Sequence, residues 1–139
     1  MAAKKKKSEY KKAKDKAWSA FSKYIRTKYS KDGQCVCITC GTQRGIKEMH
    51  AGHGIGGRGM GILFEEKVVR PQCPRCNMPP PYGKGGNYNI YVPWLIDQYG
   101  RDGYDELLTQ SNTPTKYLAV ELKEMEQKYK NKIAELDEK

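Results

Sequence analysis

The sequence predicts an α+β fold in which a small, cysteine-stapled core is flanked by an N-terminal helix and C-terminal helices. Three observations predict it. Apolar residues recur at three- and four-residue steps near both ends of the chain, two Cys-x-x-Cys pairs stand in the middle, and short strand candidates lie between them among glycine-rich loops. A chain of 139 residues holds one domain with extensions, and 37% hydrophobic residues allow only a modest core, so a small lobe needs a staple.

Taken in order, residues 1–9 (MAAKKKKSE) form a basic tail expected to be disordered, serving solubility or phosphate contact. Residues 10–30 form the N-terminal helix. Tyr10, Ala13, Ala17, Phe21, Tyr24 and Ile25 share one face, with lysines outside. "SKDGQ" ends it. Residues 31–110 are the stapled domain, with strand candidates "GIKEMHAGH" and "GILFEEKVV". After a Pro/Gly-rich connection, "YNIYVPWLIDQYG" reads as a short helix whose Gly100 suits a left-handed C-terminal cap, and "DGYDELLTQ" reads as another. Residues 111–139 form a final amphipathic helix opened by Thr113 and Pro114. Its stripe of Leu118, Leu122, Met125, Tyr129, Ile133 and Leu136 packs on the chain's own core or forms a homodimer seam.

Lys and Arg number 26 against 16 Asp and Glu, a formal charge of +10, which favours a polyanionic partner, nucleic acid first and a membrane surface second. No run of about 18 apolar residues could cross a bilayer, and the N-terminus lacks the apolar segment of a signal peptide. The expected location is cytoplasmic, with no membrane partner. In that reducing compartment five cysteines point to metal ligands rather than disulfides.

"CITC" holds Cys37 and Cys40, and "CPRC" holds Cys73 and Cys76. Each pair makes a knuckle that turns two thiolates toward one cation, and four thiolates close a tetrahedral structural zinc site. Cys35 is the fifth. It could stand in for Cys37, but the two-residue spacing favours Cys37, leaving Cys35 as a small buried thiol. With four cysteines filling the site, His50 and His53 are not needed as zinc ligands. They occupy the insert that the zinc holds in place.

The residue after the last cysteine is Asn77. A histidine on one strand, a hairpin, and an asparagine opening a helix resemble the layout of the HNH, or ββα-metal, nucleases. More narrowly, "AFSKYIR…CITCG…HAGH…ILFEEKVVRPQCPRCN…GGNY…LIDQYG" resembles the phage recombination endonuclease NinG (Rap) family over residues 17–108. The phage resolvase endonuclease VII looks related in design. The resemblance implies a structure-specific endonuclease acting on branched DNA such as Holliday junctions, in a bacterial or phage-infected host cell.

Within it, His53 matches the general base. Chemistry agrees: phosphodiester hydrolysis needs a base, a cation near the leaving oxygen and positive charge over the phosphate. Neutral imidazole is available near pH 7. Asn77 offers a neutral carbonyl oxygen suited to catalytic Mg²⁺ or Mn²⁺, with Asn87 in reserve. Arg58, in the glycine loop, is placed to reach a phosphate, and Arg70, Arg75 and Lys84 are candidates for backbone contact. His50 reads as structural or DNA-contacting.

Three positions depart from the pattern. Gly52 stands where many HNH enzymes carry an Asp ligand. His50 replaces the Asp of "DAGH" in some NinG relatives. Val68 replaces the middle Asn that orients the base, a job a backbone carbonyl can take over. Val68 therefore favours a rival reading, a non-catalytic zinc-stabilised DNA-binding accessory module. A third, a dimeric adaptor built on the last helix, explains the stripe but neither histidine.

Overall fold

The computed structural model describes residues 8–56 and 59–137, and is mixed helix and sheet as the sequence predicts. Of the basic tail, residues 1–7 lie outside the described residues, as does Arg58. Helix α1 spans Glu9–Lys28. It starts where the Ser8 hydroxyl accepts the amide of Lys11, satisfying one of the free N–H groups of the first turn. Ala13, Ala17, Phe21 and Ile25 are buried along it.

The chain then folds through an antiparallel three-stranded sheet that sequence reasoning missed: β1 (Ser30–Lys31), β2 (Gln34–Val36) and β3 (Gln43–Gly45). These strands are two or three residues long and only Cys35 is fully buried, so no hydrophobic alternation announces them. The "SKDGQ" breaker is their first turn, with Asp32 and Gly33 both at positive φ.

A second sheet pairs β4 (His50–His53) with β5 (Val69–Gln72), antiparallel, with His53 opposite Val69 and Gly52 opposite Arg70. Both strands are shorter than the segments that predict them. Ile46–Glu48 and Glu66–Val68 are 3₁₀ turns, and Ile62, Leu63 and Phe64 are all buried. Three consecutive apolar side chains cannot all face one side of a strand, whose faces alternate. A turn, closed by the Glu65 amide on the Ile62 carbonyl, buries all three.

Helix α2 (Pro74–Asn77) is one turn long. Asn77 ends it rather than opening it, because Pro74 already starts the helix within the second knuckle. Helix α3 runs Tyr88–Asn112 with a break at Gly100, whose φ of 76 and ψ of 166 are not a left-handed cap but still divide it where the sequence places the boundary.

Helix α4 spans Ala119–Asp137. Thr113 does not open it. Its amide and hydroxyl instead close α3 on the carbonyls of Gln110 and Thr109, and the segment up to Leu118 is not helical. The helix begins where the Glu121 carboxylate accepts the Leu118 amide.

The apolar stripe of α4 packs on α1 of the same chain. Leu122 and Tyr129 are buried, and Tyr129 meets Phe21 edge-on at 4.9 Å. Only Leu118 stays outside, at 66% exposure, so a homodimer through this helix would have to use Leu118, Val120 and the polar faces. The main core joins α1, α3, α4 and the second sheet. A satellite cluster of Cys35, Cys37, Met49, Cys73 and Cys76 fills the knuckle lobe. No helix among the described residues is long and apolar enough to cross a membrane.

Candidate active site

The knuckles come together as their spacing predicts. The Sγ atoms of Cys37, Cys40, Cys73 and Cys76 all lie within 4.8 Å of one another. A tetrahedral zinc with bonds of about 2.3 Å needs sulfur separations of about 3.8 Å, and Cys40 and Cys73 are 3.6 Å apart. The four cysteines could therefore hold a zinc ion. Gly41, at φ +79, turns the first knuckle so that the Cys37 amide donates to Thr42 and the Gly41 amide to Cys37.

Burial disfavours the Cys37 thiolate, yet amides of Cys73, Cys40 and Thr39 and the Thr39 hydroxyl hold its pKa at about 6. Cys73, buried and beside other thiols, is pushed up to about 12. Four thiolates in this volume require a cation.

Cys35 takes no part in the cluster; it is fully buried and donates to the Arg26 carbonyl at 3.2 Å. Asn87, the reserve ligand, instead donates to Cys76 Sγ at 3.6 Å and supports the cysteine cluster.

Beside this cluster lies a cleft of about 330 Å³ lined by His50, Ala51, His53, Asn77, Met78, Pro79, Gly85 and Tyr88. His53 is 5% exposed. Its Nε2–H donates to the Leu63 carbonyl at 3.2 Å, and its ring stacks on Trp18 at 5.4 Å and 18°. The Val68 side chain has no polar atom with which to hold that ring. Val68 itself is fully buried, and its own carbonyl receives the Gly54 amide and the Tyr91 hydroxyl.

His50 lines the same cleft rather than an opposite face, despite its three-residue offset along β4. Asn77 Nδ2 donates to His50 Nδ1 at 3.0 Å. Burial, and then the charge of Arg26, lower the His50 pKa below its ordinary value, so Nδ1 keeps its lone pair at neutral pH.

Gly52 could not be the Asp that many HNH enzymes carry at this position. A Cβ there would collide with Gln72 Oε1 and stand 2.9 Å from Gln72 Cβ. Gln72 cannot withdraw, because it is fully buried and its Nε2 donates to Thr39 Oγ1 and the Gly86 carbonyl. Gly52→Ala is therefore expected to destabilise the fold by about 1–3 kcal/mol, as overpacking does. A urea melt with wild-type midpoint would sink this account.

The basic candidates divide. Arg75 and Lys84 are exposed and joined at the backbone, the Lys84 amide donating to the Arg75 carbonyl. Arg70 is half-buried and folded back on the molecule: its guanidinium donates to the carbonyls of Glu66 and Val69 and to the Tyr99 hydroxyl, and lies 4.4 Å over the Tyr29 ring. It braces β5 against α1 and α3 rather than reaching outward. Sequence reasoning missed Trp18 and Leu63. Trp18 lies on the predicted helix, but nothing local says that its ring covers a histidine. Leu63 acts through its carbonyl, which leaves no trace in residue type.

No curated protein and no solved structure matches this chain. A family model does match, over residues 1–139: the bacteriophage lambda NinG protein. With its whole length covered, and its two knuckles and HAGH strand assembled on one lobe, the chain belongs to the NinG family.

Proposed function

We propose that this chain is a structure-specific DNA endonuclease that cleaves branched, Holliday junction-like recombination intermediates by metal-dependent phosphodiester hydrolysis. The observation that carries the reading is the convergence of His53, His50 and Asn77 on one cleft, with the His53 ring held by a backbone carbonyl. In this reading the His53 imidazole takes the proton from the attacking water. The Trp18 ring against the imidazole favours the cation formed in that step. The water oxygen then bonds to phosphorus as the bond to the leaving oxygen breaks. A divalent cation held at Asn77 would supply positive charge to the phosphate and the leaving group.

Arg75 and Lys84 lie exposed near the cleft, and the chain's +10 charge suits a polyanion. Zinc in the four-cysteine site would fix the second sheet and Asn77 relative to each other. The proposed setting is the cytoplasm of a bacterial or phage-infected cell.

One observation favours a second reading. His53 is nearly buried and covered by Trp18, which suits a non-catalytic zinc-stabilised DNA-binding module. Purified chain incubated with a labelled four-way junction and a linear duplex, with and without Mg²⁺ or Mn²⁺, separates the two. The nuclease reading expects metal-dependent cuts in the junction and little cleavage of duplex. Junction binding without cleavage under any divalent ion would overturn it in favour of the module.

A further inference from the structure

We infer that Tyr82 is a stacking platform for a nucleobase whose face a DNA branch leaves uncovered, and that it sets a preference for branched over fully paired DNA. The inference deepens the reading of the chain as a branched-DNA protein. It rests on that reading for its substrate, though not on cleavage. Three observations carry it.

The first is exposure. Met78, Pro79, Pro80, Pro81 and Tyr82 are five consecutive apolar or aromatic residues, and all are exposed. Single apolar side chains at a surface are ordinary, whereas a contiguous exposed run marks a place that something else covers. Among the described residues the Tyr82 ring is the most open of the large hydrophobic side chains, at 77% exposure.

The second is stiffness. Proline fixes φ at three successive positions before Tyr82. The loop is then stitched back onto the second knuckle. The amides of Tyr82 and Gly83 donate to the Pro79 carbonyl, that of Lys84 to Arg75, Gly85 to Met78 and Gly86 to Cys76. Gly83 lies so close to α2 that a Cβ there would stand 2.7 Å from the Arg75 carbonyl oxygen. A ring with two rotatable bonds on so fixed a backbone loses little freedom when a base stacks on it.

The third is position and charge. Pro79 and Gly85, on either side of Tyr82 in the loop, line the cleft that holds His50, His53 and Asn77. Arg75 and Lys84 are exposed on the same lobe. An aromatic ring beside cations takes up a nucleic-acid strand, with phosphates on the charges and a base on the ring. A protein partner would gain from the apolar run but not from the cations beside it.

In continuous duplex each base is stacked on both faces and must be unstacked before a side chain can cover it. A branch point or a single strand presents a base face at much lower cost. Tyr82 therefore tells the two forms apart without a hydrogen bond to any base edge.

The test uses the zinc-loaded full chain without Mg²⁺ or Mn²⁺, titrated against a labelled four-way junction and a linear duplex of the same composition. Tyr82→Ala should weaken junction binding by about 5- to 100-fold, the range for losing one base–aromatic stack, and duplex binding by less than about twofold. Tyr82→Phe should bind the junction as the wild type does, because stacking needs the ring and not the hydroxyl. Arg75→Gln combined with Lys84→Gln should instead weaken both forms alike and reduce the salt slope by about 2. 5-Iodouracil at the branch point should crosslink to Tyr82 on irradiation, as read by peptide mass.

Equal affinity of the wild-type chain for junction and duplex, or an unchanged junction preference in Tyr82→Ala, would overturn the inference. Cleavage run with Mg²⁺ or Mn²⁺ on the same samples separates the two ideas. Junction cutting with a preference that ignores Tyr82 removes this inference and leaves the nuclease. Tyr82-dependent junction binding with no cutting under any divalent ion does the reverse.

Discussion

His53→Ala is expected to slow single-turnover junction cleavage by about 10²- to 10⁴-fold, the usual cost of losing a general base, while junction affinity stays within about twofold. Affinity depends on phosphate neutralisation by the surface, which the substitution leaves in place. The variant also empties a nearly buried position beneath Trp18, so some loss of stability accompanies it. His53→Gln separates the effects: it fills much of the space but cannot take the proton of water at neutral pH. Both variants should therefore cut slowly, with the glutamine variant closer to wild type in thermal midpoint. Wild-type cutting by a folded His53→Gln would remove the base from the mechanism and hand the cleft to the binding module.

Loss of the metal from the cysteine cluster should be the largest structural effect. Structural zinc contributes on the order of 10–16 kcal/mol in small zinc-finger peptides, comparable to the whole stability of an ordinary domain. Here the knuckle lobe has little else. Its buried cluster is Cys35, Cys37, Met49, Cys73 and Cys76, with Ile46 packed alongside. The principal core lies elsewhere, around α1 and α4.

Cys73→Ser, or a strong chelator, should lower the metal content from about one zinc per chain to none. Amides of β2, β3 and β5 should then lose protection from hydrogen exchange, while those of α1 facing α4 retain much of theirs. Cleavage should be lost with the metal, because Asn77 directly follows Cys76 and Gln72 in β5 directly precedes Cys73. Mass spectrometry for zinc together with exchange by residue reads both quantities. A zinc-free variant with unchanged protection in residues 34–45 and 69–77 would show that the lobe orders itself without a staple.

The two expectations differ in how far the sequence supports them. Cysteine spacing is a local property with few physical solutions, and it picked out the four cysteines that come together and favoured Cys37 over Cys35. The helices were legible for a similar reason. Ala13, Ala17, Phe21 and Ile25 repeat at the helical period because one face must be buried, and the stripe from Leu122 to Leu136 does the same on α4. The small sheets were not legible in detail. Strands of two to four residues bury too few side chains to write a period of two into the sequence, and the apolar run Ile62–Leu63–Phe64 satisfied burial as a turn.

At the candidate site, sequence named His53 and Asn77, and the resemblance supplied their roles. It read His50 as structural or DNA-contacting and counted Arg70 among the candidates for DNA backbone contact. Only the fold put the His50 and Asn77 side chains 3.0 Å apart, closed Arg70 onto Tyr29, Tyr99 and two carbonyls, and gave His53 Nε2 the carbonyl of Leu63. It also made Gly52 obligatory by packing Gln72 against it. Residue type and short spacing record chemistry that a few neighbouring residues complete alone, as the cysteine knuckles do. A backbone carbonyl, a collision or a hydrogen bond between segments 27 residues apart depends on how the chain returns on itself, and that was decided by tertiary packing.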